Sequence, residues 1–189
     1  MMMEEYLQQF GLFDEGDINR FLELGKAKSF KKDGFFIREG MVCREVGFVI
    51  SGTFRSFYYS HKNEEITYCF TFPRTLISAY SSYISGQGTP ENIQAITDAE
   101  IFAIPKHHIE QLVESKPKWL LFSKIIAEQQ YLEMEKRIFT LQKETAEVKY
   151  RQLLQEQPEY LQEIPLQFIA SYLGITQRHL SRIRKQISY

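Results

Sequence analysis

The chain has 189 residues, 43% of them hydrophobic, and a net charge of −1. That balance suits one or two globular domains, each with a real core. It excludes a membrane-spanning class, because no apolar run approaches the length of a bilayer helix. Met-Met-Met-Glu-Glu-Tyr at the N-terminus lacks the basic and apolar regions of a secretory signal, so the expected location is the cytoplasm. Cys43 and Cys69 stand alone, without metal spacing, and read as two buried thiols. The net charge hides an asymmetry. Residues 1–143 hold 17 basic and 19 acidic side chains; residues 144–189 hold 6 and 5, and all five acids precede Leu166. A polyanionic partner would meet the extreme C-terminus.

In chain order, a short helical lead is expected from Asp17 to Leu24. Glycine-punctuated apolar runs follow: Phe35–Ile37, Val46–Ile50, Thr53–Tyr59, Ile66–Phe72, Ile93–Ile96 and Ile101–Ile104. Many short strands with glycine turns predict a sandwich or barrel, not a parallel sheet. Pro105 opens a short helix to about Val113, and Lys116-Pro117 breaks it. From Pro117 to Pro158 there is neither glycine nor proline. Leu121, Ile125, Leu132 and Phe139 recur there at helical intervals, widened by Trp119, Phe122, Ile126 and Ile138. The plain reading is a core helix serving its own domain. The length and breadth of the apolar face favour a seam with a second copy of the chain. A break is expected at Thr140–Lys143, before a further helix from Glu144 to Glu156.

The stretch Leu166–Lys185 carries the clearest signal. Ile169, Ala170 and Leu173 share one helical face; Leu180, Ile183 and Ile187 share another. Gly174 between them accepts a positive φ, and Thr176 stands where an N-cap hydroxyl belongs. This is a helix-turn-helix pattern. An ordinary αα-hairpin would also bury two faces. The small Ala170 at the crossing and the acid-free basic set Arg178, Arg182, Arg184 and Lys185 favour double-stranded DNA. Candidate DNA-contacting residues are Thr176, Gln177, Arg178, Ser181, Arg182 and Lys185.

Gly34-Phe35-Phe36-Ile37-Arg38-Glu39-Gly40, Gly47–Arg55, Ile169–Thr176 and Leu180-Ser181-Arg182-Ile183 together resemble the Crp-Fnr family of bacterial transcription regulators. The resemblance covers nearly the whole chain. It implies an α+β architecture: a double-stranded β-roll over residues 1–116, a dimerisation helix over 117–140, and a helix-turn-helix domain over 141–189. It also implies a homodimer on a near-palindromic operator, a small-molecule effector sensed in the β-roll, and RNA polymerase among its partners. Arg182 falls where the family places a base-reading arginine.

Two departures limit what carries over. Nucleotide-binding relatives use a Gly-Glu pair for the ribose and a later arginine for the cyclic phosphate. Here the matching places read Ser78-Ala79 and Thr89-Pro90, and no Lys or Arg lies between Arg74 and Lys106. Cyclic nucleotides are therefore not expected to bind, unless Arg55 or Arg74 reaches the pocket from a neighbouring strand. Ser78, Ala79, Tyr80, Tyr83 and Thr89 are the candidate effector residues, with simple packing the better reading for the two tyrosines. Two distant cysteines cannot hold an iron–sulfur cluster. His61, His107, His108 and His179 read as surface residues, the rings of the adjacent pair diverging. The chain ends at Tyr189, soon after the recognition helix, so phosphate anchoring is expected from the helices themselves. No His-x-His, G-x-S-x-G, P-loop or dinucleotide signature is present, so no catalytic, metal or cofactor site is expected. The alternative to a DNA-binding regulator is a small-ligand-binding module acting through protein partners.

Overall fold

A computed structural model describes residues 2–156, 158 and 160–187. Two helices lead, α1 (Met2–Gln8) and α2 (Glu15–Glu23). α2 starts where Asp14 and Asp17 form a reciprocal capping box, each carboxylate accepting the other's backbone N–H. Eight strands follow: β1 (Lys26–Phe30), β2 (Phe35–Ile37), β3 (Glu45–Ser51), β4 (Phe54–Tyr59), β5 (Glu65–Thr71), β6 (Leu76–Ile77), β7 (Asn92–Ala95) and β8 (Ala99–Pro105). A short helix, α3 (Tyr80–Ser85), interrupts them. After β8 come α4 (Lys106–Ser115), α5 (Pro117–Lys143), α6 (Ala146–Glu156), a 3-10 turn (Tyr160–Gln162), α7 (Leu166–Leu173) and α8 (Gln177–Ile187).

The strands form two four-stranded sheets ordered β1-β8-β3-β6 and β2-β7-β4-β5. β1, β3 and β6 pair antiparallel within the first sheet, and β2 pairs antiparallel with β7 in the second. Val49, Phe54, Ile77, Ile93 and Ile101 pack one apolar core. The tight turn between β3 and β4 needs Gly52: its φ is +80°, and a Cβ would lie 2.4 Å from the Asp98 carbonyl oxygen. A second core gathers Leu7, Ile18, Phe21, Phe48, Leu112, Trp119 and Phe122. Trp119 stacks on Phe13 and Phe21, which fixes the first turn of α5. The α+β expectation and the antiparallel β-roll therefore hold.

The chain divides into two compact units: residues 1–56 with 70–128, and residues 57–69 with 129–189. Three local expectations change. α5 does not break at Thr140–Lys143; it runs unbroken to Lys143, because Leu141, Gln142 and Lys143 are all good helix formers. The break comes two residues later, where the Thr145 hydroxyl accepts the Val148 N–H. β1, β6, α1 and α3 were not anticipated. The rings of His107 and His108 do not diverge: their centroids are 4.0 Å apart. His108 is half-buried, its Nδ1 donating to the Leu24 carbonyl at 3.0 Å, and His107 leans over it.

One buried carboxylate, Asp17, predicts a pH dependence. Asp17 is buried, and Lys116 Nζ bonds its carboxylate at 2.7 Å while Lys118 bonds the other oxygen. Burial alone would push this carboxyl up. The two ammonium groups and the Asp14 backbone override it and hold it well below the usual carboxylate range. A depressed folded-state pKa gives stability that is complete above the unfolded value, near 3.9, and lost as pH falls toward the folded one. Asp17→Ala should therefore cost about 2 kcal/mol at pH 7 and flatten the stability profile below about pH 4. Urea denaturation between pH 3 and 7 measures both.

Candidate nucleic-acid interface

α7 ends as its sequence dictates. Gly174 adopts φ +71°, its N–H donates to Ser171 O at 3.0 Å, and the Ile175 N–H donates to Ala170 O at 3.0 Å. This bond pair is a Schellman motif, which satisfies two carbonyls of the last turn and swings the chain into α8. Thr176 caps α8, its hydroxyl accepting the His179 N–H at 3.2 Å. Ile169, Ala170 and Leu173 of α7 are buried, as are Leu180 and Ile183 of α8; Ile187 is half-buried.

The opposite side of α8 is open. Thr176, Gln177, Arg178, Arg182 and Lys185 are exposed, and Ser181 is half-buried. Arg178, Arg182 and Lys185 follow an i, i+4, i+7 spacing and so share a face. The Ser181 hydroxyl donates to Gln177 O at 3.0 Å, so its proton serves the helix backbone. His179, not among the sequence candidates, is also exposed in the first turn. No acidic side chain follows Glu163. Both acids of α6 are paired, Glu147 with Arg151 at 2.8 Å and Glu156 with Lys136 of α5 at 3.1 Å.

The candidate effector residues are occupied by their own surroundings. The Ser78 hydroxyl donates to the Glu45 carbonyl at 3.1 Å, and the Cys43 sulfur lies 3.4 Å from it. Ala79 is wholly buried in the core. Thr89 is buried, its N–H donating to Met41 O at 2.8 Å and its hydroxyl accepting the Glu91 N–H at 3.2 Å. Tyr80 and Tyr83 stack nearly parallel with centroids 6.0 Å apart. Burial, reinforced by Glu110 and Tyr80, pushes the Tyr83 phenol up to about 12. Of the two neighbouring guanidiniums, Arg74 turns away to the N-terminal helix, while Arg55 reaches the far end of the Ile77–Ile96 segment at Gln94. Arg74 pairs with Glu5 at 2.8 Å, and Arg55 is buried with Nε and Nη2 both donating to Gln94 Oε1. A second cation reaches this segment, Lys106 from the start of α4. Its ammonium donates to the Tyr83 carbonyl and lies 5.0 Å from the Tyr83 ring centroid. Spacing along the chain gave no sign of it.

Along α5, Trp119 and Phe122 are buried, whereas Leu121, Leu132 and Phe139 are 45%, 61% and 48% exposed. Ile125 is half-buried. Among the described residues no group of three His, Cys, Asp or Glu side chains could hold a metal ion, and no helix is long and apolar enough to cross a membrane.

Residues 27–116 match the cyclic nucleotide-binding domain family. FixK2 from Bradyrhizobium japonicum superposes with a TM-score of 0.77 at 18% identity, over 87% of this chain and 84% of that one. A protein of the crp/fnr family from Eubacterium rectale gives 0.73 at 18% identity, over 97% and 88%. Its fold is that of the Crp-Fnr regulators. The c-di-GMP-responsive global regulator CLP from Xanthomonas campestris shares the Crp-Fnr fold at TM-score 0.67 and 17% identity, over 93% and 92%. No curated protein matches the chain by sequence. Of these neighbours, CLP is named as a global regulator and the Eubacterium rectale protein as a transcriptional regulator.

Proposed function

We propose that the chain is a homodimeric, cytoplasmic DNA-binding transcription regulator of the Crp-Fnr type. One observation carries the reading: α8 buries Leu180 and Ile183 and presents Gln177, Arg178, Arg182 and Lys185 on an exposed, acid-free face. Such a face suits the major groove, where arginine reads guanine and each neutralised phosphate releases counterions. The division of labour follows the chain: a β-roll over 1–116, a dimerisation helix over 117–140 and a DNA-binding domain over 141–189. The operator is near-palindromic, and RNA polymerase is the expected protein partner. Selecting bound sites from random double-stranded DNA tests the reading. The expected product is an inverted repeat with half-sites about 34 Å apart; recovery of unenriched sequence would refute it.

The β-roll of this regulator does not bind cyclic AMP or cyclic GMP. Ala79 and Thr89 replace a ribose-binding carboxylate and a phosphate-binding guanidinium, and both are packed into the domain. Losing such charge-assisted bonds costs a factor on the order of a hundred or more in affinity. Calorimetry with both nucleotides should show no binding in the micromolar range. A micromolar dissociation constant, lost on mutating a residue between Ile77 and Ile96, is the contrary result. The β-roll then senses a different small ligand through this segment or serves as a dimer scaffold.

A further inference from the structure

Two consecutive residues of α7 grip two different elements of the second compact unit. The Ser171 hydroxyl accepts the Thr67 N–H at 2.9 Å and donates to the Glu65 carbonyl at 3.0 Å. Glu65 and Thr67 are two apart on β5, so these main-chain groups leave the same strand edge. β5 is the last strand of its sheet. One side-chain hydroxyl thus takes the place a further strand would fill. The next residue, Tyr172, belongs to the last turn of α7, where carbonyls lack helical partners. Arg137 of α5 donates its Nη2 to that carbonyl, and its guanidinium carbon sits 3.6 Å from the Tyr172 ring centroid. A cation at a helix C-terminus also has the favourable sign for the dipole.

We infer that Ser171 and Arg137 are positioning residues: they seat α7 on the β5 edge and on α5, and thereby fix the attitude of the recognition helix α8. The inference rests on the reading of α8 as a DNA reader. α8 packs on α7 through Leu180 and Ile183, and α7 passes into it through the closed Gly174 turn, so α8 goes where α7 goes. The helical domain buries apolar side chains apart from the clamp. Tyr150, Leu153, Ile164, Ile169, Leu173, Leu180 and Ile183 give it a core of its own. Its main-chain link to α5 is the two-residue break at Glu144-Thr145. Without the clamp, that link leaves the domain free to sample several attitudes. The clamp also leaves Gln177, Arg178 and Arg182 exposed, so the held state is one in which the reading face is open.

The consequence is quantitative. Apparent affinity falls by the fraction of molecules in the competent attitude. A dimer needs both helices competent, so the loss is squared. If each unclamped helix is competent about a third of the time, operator affinity falls about ninefold. A loosened pair also tolerates half-sites at the wrong separation.

The test uses the full-length chain, the operator selected from random DNA, and copies of it with one base pair inserted or removed at the centre. Ser171→Ala should bind the selected operator about ninefold more weakly while the shifted copies lose less, so the spacing preference relaxes. Exchange of the Thr67 amide should rise about tenfold or more. Alanine is the better helix former, so α7 itself is not weakened. Ser171→Thr keeps the hydroxyl and should restore both readouts. Arg137→Gln should relax the spacing preference in the same way and serves if Ser171→Ala does not fold. A wild-type chain that binds its operator, beside a Ser171→Ala variant with unchanged affinity and unchanged spacing ratio, overturns the clamp alone. Equal loss at every spacing points to general destabilisation and overturns it too. A wild-type chain that selects no DNA overturns the reading of α8 and this inference with it.

Discussion

Chains carrying Ile125→Glu and Leu132→Glu together should sediment as monomers at micromolar concentration and bind the selected operator about 100- to 10,000-fold more weakly than wild type. The argument starts from exposure. Leu121, Leu132 and Phe139 are large apolar side chains left about half or more in water on one protomer, and Tyr131, Met134, Ile138 and Leu141 are exposed beside them. Ile125, Leu132 and Phe139 are seven apart, the interval that keeps a seam facing a partner helix. At 27 residues, α5 spans about 40 Å, long enough for several layers of such contacts. Glutamates there would face each other across a two-fold axis, adding like-charge repulsion to the lost apolar burial. Each α8 would then bind a half-site unaided, and the gain from tethering two readers disappears. Leu132→Glu alone separates this effect from misfolding, because Leu132 is 61% exposed in the protomer. A wild-type chain that is itself monomeric under the same conditions sinks the idea.

Those parts of the fold whose residues face two ways were legible in the sequence. β3 and β8 announced themselves through apolar runs that end in the core as Phe48, Val49, Ile101 and Ile104. α7 and α8 did so through a 3.6-residue period closed by a glycine and a threonine at the required places. β1 was silent for a physical reason. Lys-Ala-Lys-Ser-Phe is exposed along most of its length and lies at a sheet edge, where lysines guard against stray pairing rather than fill a core. α3 was silent because Tyr-Ser-Ser-Tyr-Ile-Ser has little helical preference. It is held instead by the Ser82 hydroxyl, which accepts the Cys43 N–H at 2.9 Å and donates to the Gln87 carbonyl. Such long-range bonds leave no periodic trace.

The same distinction separates the proposed reading face from its proposed support. Arg178, Arg182 and Lys185 could be picked out because charge and helical spacing are both sequence properties. Ser171 and Arg137 could not. Each works through a main-chain group far away in sequence, Thr67 and Glu65 in one case and Tyr172 in the other. Lys106 beside Tyr83 is a third example, since counting cations within Ile77–Ile96 misses one supplied by another element. Sites assembled from side chains meeting distant backbone are the ones that need coordinates.

Arg182→Ala should cost on the order of 1–3 kcal/mol per half-site on the selected operator and relax the preference at a single base position. Arg182 lies one helical turn beyond Arg178 on the exposed side of α8, its guanidinium free of the apolar interface that Leu180 and Ile183 make. A planar fork at that depth can donate two bonds to one guanine edge, and alanine offers none. Lys185, one turn further toward the C-terminus, should behave differently. Its ammonium is a point charge at the end where the helix leaves the groove, so Lys185→Ala should weaken all sequences alike and lower the salt slope by about 1 per half-site, about 2 for the dimer. The comparison needs binding curves for single-position operator variants at several salt concentrations between about 50 and 200 mM. The assignment of Arg182 to base reading fails if its loss leaves affinity and site preference unchanged. It fails equally if the loss falls evenly on every operator variant with a shallower salt slope, because Arg182 would then be holding phosphate, as Lys185 is argued to do.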